Sequence, residues 1–404
     1  MISNFISKAI HNPSAGVIRK MFEEGARLKK QFGEDAVFDF SLGNPSIAVP
    51  SEVRQAIKKV SADESETAHS YMPNAGYDFV RDEMAKKTAL EQGTEISGKN
   101  IVLSSGAAGA LNCVLKALIN AGDEVIVPTP YFTEYDYYIG NHGGLIHRVP
   151  TKENFSLDIK KIENALSQKT CAILINSPNN PSGRIYSEDE IRELSKMLEA
   201  NEKKIGRLPF LISDEPYRAI VYGAKKVSPI FPFYKNAVVV TSFAKNLSLP
   251  GERIGYLAVN PASSEGDELV AACIFANRIL GFVNAPAFFQ KVVAFSWNIK
   301  VDYSPYEKNL QSLKIILNEC GFAFAEPDGA FYLFVKVPTV FGNDDLAFCD
   351  FLKQFNILCA PGSSFGCAGY FRIAYCVKHK TIENARSAFL KAMNSLKQSQ
   401  GDAK

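Results

Sequence analysis

The chain has 404 residues, 46% of them apolar, enough to bury a sizeable core in one large domain with a smaller one beside it. Lys and Arg total 45 against 43 Asp and Glu, a formal charge of +2, so the balance offers nothing to nucleic acid or to an anionic membrane. No apolar run approaches the roughly 20 residues of a membrane span. The opening MISNFISKAIHNPS lacks the basic segment, long apolar region and cleavage site of a signal peptide, so a cytoplasmic protein is expected. The eight cysteines are scattered, form no CxxC pair and read as buried free thiols of a reducing compartment. Five histidines spread along the chain predict no metal site.

In chain order, residues 15–32 carry helical periodicity. Phe38 to Pro45 (FDFSLGNP) reads as a short strand entering a turn. Helices are predicted at 51–60 and about 78–91, with the turn-rich His69 to Tyr77 between them. From 100 to 260 strands and helices alternate, the pattern of a mostly parallel sheet. The predicted strands are 100–104, 124–128, 144–149, 170–175, 209–213, 237–242 and 254–259, and the predicted helices 107–119, 131–140 and 187–201. Residues 261–320 read as helical, with a long apolar piece at 267–295. Beyond 320 the pattern turns α+β: short strands at 331–335, 356–359 and 370–376, a helix near 344–354, a last helix near 380–397, and a frayed end at 398–404. The expected class is α/β, a large domain with a mostly parallel seven-stranded sheet flanked by helices, plus a smaller α+β domain built from the N- and C-terminal segments. Residues 1–48 are expected to form an arm and part of the small domain, 49–300 the large domain, and 301–404 the rest of the small one.

The chemistry-bearing residues fall where strands end, which is where open α/β sheets bind ligands. The stretch 237–256, AVVVTSFAKNLSLPGERIGY, leaves a buried strand with Ser242 and Lys245, then reaches Arg253 between two glycines. An ammonium just past a core strand is costly to desolvate, so such lysines tend to have a lowered pKa or a covalent partner. Ser242, Lys245 and Arg253 together suit a ligand with a phosphate and an aldehyde; Lys245 alone reads as a surface lysine. After strand 100–104, Ser105-Gly106-Ala107-Ala108 opens a helix whose N–H groups attract an anion, or whose small side chains serve packing. Phe132 follows strand 124–128 and offers a stacking ring or ordinary core. Asn180, in NSPNNPSG after strand 170–175, can donate to a phenolate or carboxylate. Asp214, with Tyr217 in SDEPY, needs a cation or fixed donors, either a protonated ring nitrogen or an arginine. Arg372, in FRIAY, is a candidate clamp for a carboxylate, or a solvent-facing strand residue.

Jointly these motifs, NSPNNPSG, SDEPY and SFAKNLSLPGERIG, resemble the pyridoxal phosphate-dependent aminotransferases of class I and II, with the aspartate aminotransferase fold, fold type I. The resemblance runs from about Gly43 to Arg372. It implies pyridoxal 5′-phosphate as cofactor and a ping-pong transfer of an amino group from an L-amino acid to a 2-oxo acid such as 2-oxoglutarate. It implies that Lys245 joins the cofactor aldehyde and then moves a proton from substrate Cα to cofactor C4′. Asp214 would keep the pyridinium nitrogen protonated, Tyr217 and Asn180 would hold the 3′ oxygen, and Phe132 would stack on the ring. Gly106, Ala107, Ala108, Ser242 and Arg253 would bind the phosphate. Tyr71 would reach the phosphate of a neighbouring subunit, implying a homodimer with shared sites. Arg372, with Asn180 and the backbone at Gly43, would clamp the substrate carboxylate. Ser182 stands where relatives often have Thr. Arg278 lies roughly where a cation for a distal carboxylate could sit, or is a salt-bridged helix-end arginine. Apolar Ile18, Phe282 and Val283 would suit aromatic or aliphatic side chains. Aspartate, or a broad aspartate/aromatic range, is the expected donor. A carbon–sulfur lyase on the same scaffold would share every cofactor residue, and a non-catalytic cofactor-binding regulatory protein is the remaining alternative.

Overall fold

The structure, a computed structural model, describes residues 2–11 and 16–401, and among these the side chains of all but 17–19, 22 and 399–401. Among the described residues there are twelve strands, β1 Phe38–Asp39, β2 Ile101–Ser104, β3 Glu124–Thr129, β4 Leu145–Pro150, β5 Thr170–Asn176, β6 Phe210–Asp214, β7 Ala237–Ser242, β8 Gly255–Val259, β9 Tyr332–Lys336, β10 Ile357–Leu358, β11 Ala360–Pro361 and β12 Tyr370–Ala374. Seven of them form one sheet in the order β2-β8-β7-β6-β5-β3-β4. All run parallel except β8, which lies antiparallel between β2 and β7.

Every residue of β2, β5, β6, β7 and β8 is buried. That explains their continuous apolar runs, since strands covered on both faces cannot alternate with polar residues. The period of two still sorts them. Leu103, Ile173, Ile175, Leu211 and Val239 pack with helices Ser51–Ser61, Asp78–Gln92, Glu188–Ala200 and Ala287–Ala294 on one face. Val102, Leu174, Ile212, Val240 and Leu257 pack with helices Gly106–Leu118, Glu134–Gly140 and Gly266–Ile279 on the other. Helix Glu188–Ala200 starts where its sequence says it should: the Ser187 and Glu190 side chains cap each other's backbone N–H.

A second core lies around the antiparallel sheet β11-β12-β9 and the parallel pair β1-β10. It joins the N-terminal segment (Met21, Leu28, Phe38, Phe40) to helices Ser304–Glu319, Asp345–Lys353 and His379–Gly401.

Several expectations need correction. The helix expected over 131–140 starts at Glu134, leaving Phe132 in the preceding turn. The apolar piece 267–295 is two helices, Gly266–Ile279 and Ala287–Ala294, broken where Gly281 takes φ +87° and Pro286 follows. The expected strand 356–359 shortens to β10, Ile357–Leu358, and an unexpected short strand, β11, follows at Ala360–Pro361 in a different sheet. The last helix continues to Gly401, so 398–401 are helical; 402–404 lie outside the described residues. Helices Asn4–His11, Ile159–Ala165 and Glu202–Ile205 were not expected.

Candidate active site

Because β8 runs backwards, its first residue stands at the sheet edge where its neighbours end: Ser104 and Ser242 both pair with Gly255. Along the same edge Asn176 pairs with Asp214, and Asp214 with Val240. A cavity of about 310 Å³ opens there, lined by large-sheet residues and by Leu42, Gly43, Tyr332 and Arg372 from the other core region. That size suits a small organic ligand.

Asp214 ends β6 and is buried. Burial pushes its carboxyl up to about 7, against the pull of the Tyr135 hydroxyl, which donates to Oδ2 at 2.6 Å. Among the described residues Oδ1 has no hydrogen-bond partner. A buried carboxylate oxygen without a donor is expensive, so the cavity it lines is built for something that supplies one.

Lys245 is half-buried in the loop after β7, and Nζ donates to the Gly43 carbonyl at 2.6 Å. Burial, then the guanidinium groups of Arg372 and Arg253, pull its amine down to about 8. Arg253 closes the same loop in a left-handed conformation, φ 52°, and donates to the Pro250 carbonyl. No carboxylate among the described residues pairs with it, so a cation is left at the N-terminus of helix Gly106–Leu118. Gly106 itself does not line the cavity. It has φ +72°, and a Cβ there would come within 2.8 Å of the Arg253 guanidinium. A Cβ at Gly255 would meet the Thr241 carbonyl at 2.6 Å and the Ala107 nitrogen at 2.9 Å. These glycines let helix, strand and guanidinium converge, with Ala107, Ala108 and Ser242 on the lining.

Asn180 is held by its neighbours. The Asn176 Oδ1 accepts its backbone N–H at 2.7 Å, and its own Oδ1 accepts from Arg372 at 2.9 Å. Its side-chain nitrogen thereby stays free for the cavity among the described residues. Arg372, buried and not solvent-facing, also donates to the Ser41 carbonyl, while Nε has no partner among the described residues. The Gly43 carbonyl thus serves Lys245, and Ser41 serves Arg372. Tyr217 is buried with its hydroxyl 2.9 Å from that of Tyr332. Phe132 lines the cavity, edge-on to Tyr135 at 5.7 Å.

Two more expected residues stay outside. Tyr71 is 92% exposed and does not line this cleft. Arg278 is exposed at its helix end, its guanidinium over the Phe275 ring at 5.0 Å rather than in a salt bridge with any described carboxylate. The side chain of Ile18 lies outside the described residues. Phe282 is half-buried and Val283 exposed. Among the described residues no group of His, Cys, Asp and Glu is arranged to hold a metal ion, and no helix is long and apolar enough to cross a membrane. All eight cysteines are free, seven of them buried.

The model of the family described as "Aminotransferase class I and II" matches residues 35–389. The chain belongs to that family. It is an aminotransferase, with the aspartate aminotransferase fold. Its similar relatives include the probable aspartate aminotransferase of Methanocaldococcus jannaschii, 29% identical over 94% of this chain and 97% of that one. A solved aminotransferase from Eubacterium rectale superposes with a TM-score of 0.92 at 38% identity, covering 98% of this chain and 99% of that one. The aspartate aminotransferase of Thermotoga maritima gives 0.84 at 27% identity, covering 97% and 100%.

Three residues of the aminotransferase cleft were missed in the sequence: Tyr135 on Asp214, Asn176 on Asn180, and Tyr332 on Tyr217. Asn176 carried a signal, since it follows the unbroken apolar run Cys171 to Ile175. Tyr332 sits among aromatic and apolar neighbours and reads as core, while Tyr135, between Glu134 and Asp136, reads as one more residue of a helix.

Proposed function

We propose that the aminotransferase holds pyridoxal 5′-phosphate in this cleft and passes an amino group from an L-amino acid to a 2-oxo acid such as 2-oxoglutarate. The observation that carries this reading is Asp214, buried with Oδ1 unpaired in the cavity that Lys245 also lines. A protonated ring nitrogen is the donor that oxygen lacks. Pyridoxal phosphate supplies an aldehyde that amines attack and a ring that draws electrons from the adjacent substrate carbon. Phe132 would offer the stacking face. Tyr217 and the Asn180 amide would donate to the 3′ oxygen. The backbone of Gly106, Ala107 and Ala108, with Ser242 and Arg253, would take the phosphate. Lys245, closer to neutral than an ordinary lysine, would act as nucleophile and then carry the proton between substrate Cα and cofactor C4′. Arg372, with Asn180 and Gly43 beside it, would meet the substrate α-carboxylate.

The names of the relatives favour transamination over the lyase chemistry, and support aspartate as donor. The cleft lining holds three cations, Lys245, Arg253 and Arg372, and each has a task in this reading. An acidic side chain would therefore find its cation on a second protomer. That fits a homodimer in which the exposed Tyr71 and Arg278 serve the neighbouring site. We place the domain divisions after residues 48 and 300, and the enzyme in a reducing cytoplasm suited to its free thiols. The test is spectroscopic. Enzyme loaded with pyridoxal phosphate should show a visible band that aspartate shifts and 2-oxoglutarate restores, and Lys245→Ala should lack it. Wild-type turnover in Lys245→Ala, or pyruvate and ammonia released from cysteine in place of transamination, would sink the reading.

A further inference from the structure

Tyr332 has no task in the scheme above, yet it touches three groups that do. It begins β9, is 2% exposed and lines the cleft. Its hydroxyl lies 2.9 Å from that of Tyr217, and the two rings meet edge to face at 5.5 Å. Tyr332 faces Ala374 across the β9–β12 pairing, while Arg372 faces Phe334. Tyr332 and Arg372 are thus diagonal neighbours on one face of the sheet, within reach of long side chains. The Arg372 guanidinium lies over the Tyr332 ring at 4.4 Å, with Phe365 at 4.7 Å on it as well. A Cβ at Gly43 would overlap the Tyr332 phenol oxygen, so the backbone carrying the Lys245 acceptor rests against this side chain.

The direction of the tyrosine pair follows from counting protons. Each phenol has one. If the Tyr217 proton points into the cavity, only the Tyr332 proton can hold the contact between the two oxygens, and Tyr332 has no other hydrogen-bond partner among the described residues. A phenol that accepts a hydrogen bond is a better donor in turn. Burial supports both staying protonated: it pushes Tyr332 up to about 12 and Tyr217 well above the usual phenol range. The other charged or titratable groups around Tyr217 are Arg372, Asp214, Tyr135 and Lys245, and those facing Lys245 are Cys376, Arg372 and Arg253.

We propose that Tyr332 is a positioning residue of the transamination site. Its hydroxyl donates to Tyr217 and so frees the Tyr217 proton for the cofactor 3′ oxygen, and its ring holds the Arg372 guanidinium in place for the substrate carboxylate. This rests on the cleft being a pyridoxal phosphate site. Donation by Tyr217 stabilises the anionic 3′ oxygen, which weakens that oxygen's hold on a proton shared with the Lys245 nitrogen. Losing the Tyr332 hydroxyl should therefore raise the pH at which the visible band titrates.

The experiment is a pH titration of that band in the loaded enzyme, with KM for the amino donor and the thermal midpoint. Tyr332→Phe should raise the band midpoint by about half a unit to one unit. It should leave KM within about twofold, because the ring under Arg372 remains. Tyr217→Phe should raise the midpoint at least as far, and Tyr217→Phe/Tyr332→Phe no further than Tyr217→Phe alone. Tyr332→Leu should raise KM at least about threefold above Tyr332→Phe, since it removes the ring. The Phe variants decide the part played by the hydroxyl even if the Leu variant is too unstable to purify. A wild-type midpoint in Tyr332→Phe, beside a shifted one in Tyr217→Phe, overturns the proposal. So does an equal rise of KM in the Phe and Leu variants. A wild-type enzyme that takes up pyridoxal phosphate without a visible band overturns the underlying reading instead.

Discussion

Asp214 and Glu215 are adjacent, both carboxylates, both buried, at 6% and 1% exposure. Alternation sends them to opposite faces of the sheet. Glu215 meets a full set of donors: Arg218 at 2.7 Å, the Ser213 hydroxyl at 2.8 Å and the Gln92 amide at 3.5 Å. Asp214 meets one phenol and leaves an oxygen bare. Desolvation raises the pKa of each. Burial therefore does not separate a structural acid from one that awaits a ligand; the tally of donors does.

Substitution should split the pair cleanly. Asp214→Asn should lower kcat on the order of a hundredfold or more while leaving the fold intact, because a neutral amide cannot hold a protonated ring nitrogen. Steady-state rates beside thermal unfolding would check this. Glu215→Gln should do the reverse. It strands Arg218 in the core, a loss of about 3–5 kcal/mol seen in denaturant melts, with the cofactor spectrum unmoved. A spectrum as altered as that of Asp214→Asn would erase the contrast.

A subtler variant sharpens it. The native pKa of Asp214 is about 7, above its usual 3.8, so the folded protein binds the extra proton between those values. Stability of the cofactor-free protein should fall as pH rises through that window. Tyr135→Phe removes the one donor to Asp214 and should extend the fall above 7, whereas Asp214→Asn should lack this component. Thermal midpoints at about pH 5 and about pH 8 would read it. The smallest effect concerns Lys245. Its amine is depressed to about 8, so the rate at which the visible band forms on adding pyridoxal phosphate should climb through that pH and level off above about 9. A rate still climbing beyond that would mean an unshifted lysine.

Much of this was legible in the residues. Interior strands bury both faces, so β5, β6 and β7 stood out as unbroken apolar runs, and charges directly after them marked Asp214 and Lys245. Strand order was not legible, because a run such as Gly255–Val259 reads alike in either direction and only pairing reveals that β8 is reversed. The helix Asn4–His11 spans only eight residues, too few for its Phe5, Ile6 and Ile10 to stand out as a helical stripe. Tyr135 and Tyr332 were hidden for another reason. A tyrosine among aromatics looks like core until the partner of its hydroxyl is known, and both partners come from elsewhere in the chain. Tyr71 was singled out only by the family resemblance.

The reversed strand has a consequence for inheritance. The segment that leaves β7 and re-enters at Gly255 meets the rim of the cleft at Ala244, Lys245, Pro250 and Arg253, so amine and guanidinium ride on one short span anchored at both ends by the same ladder. Lengthening or trimming that span would displace both cations together, and no change elsewhere could restore either. The spacing between them is in effect a single hereditary character, fixed by the direction of one strand.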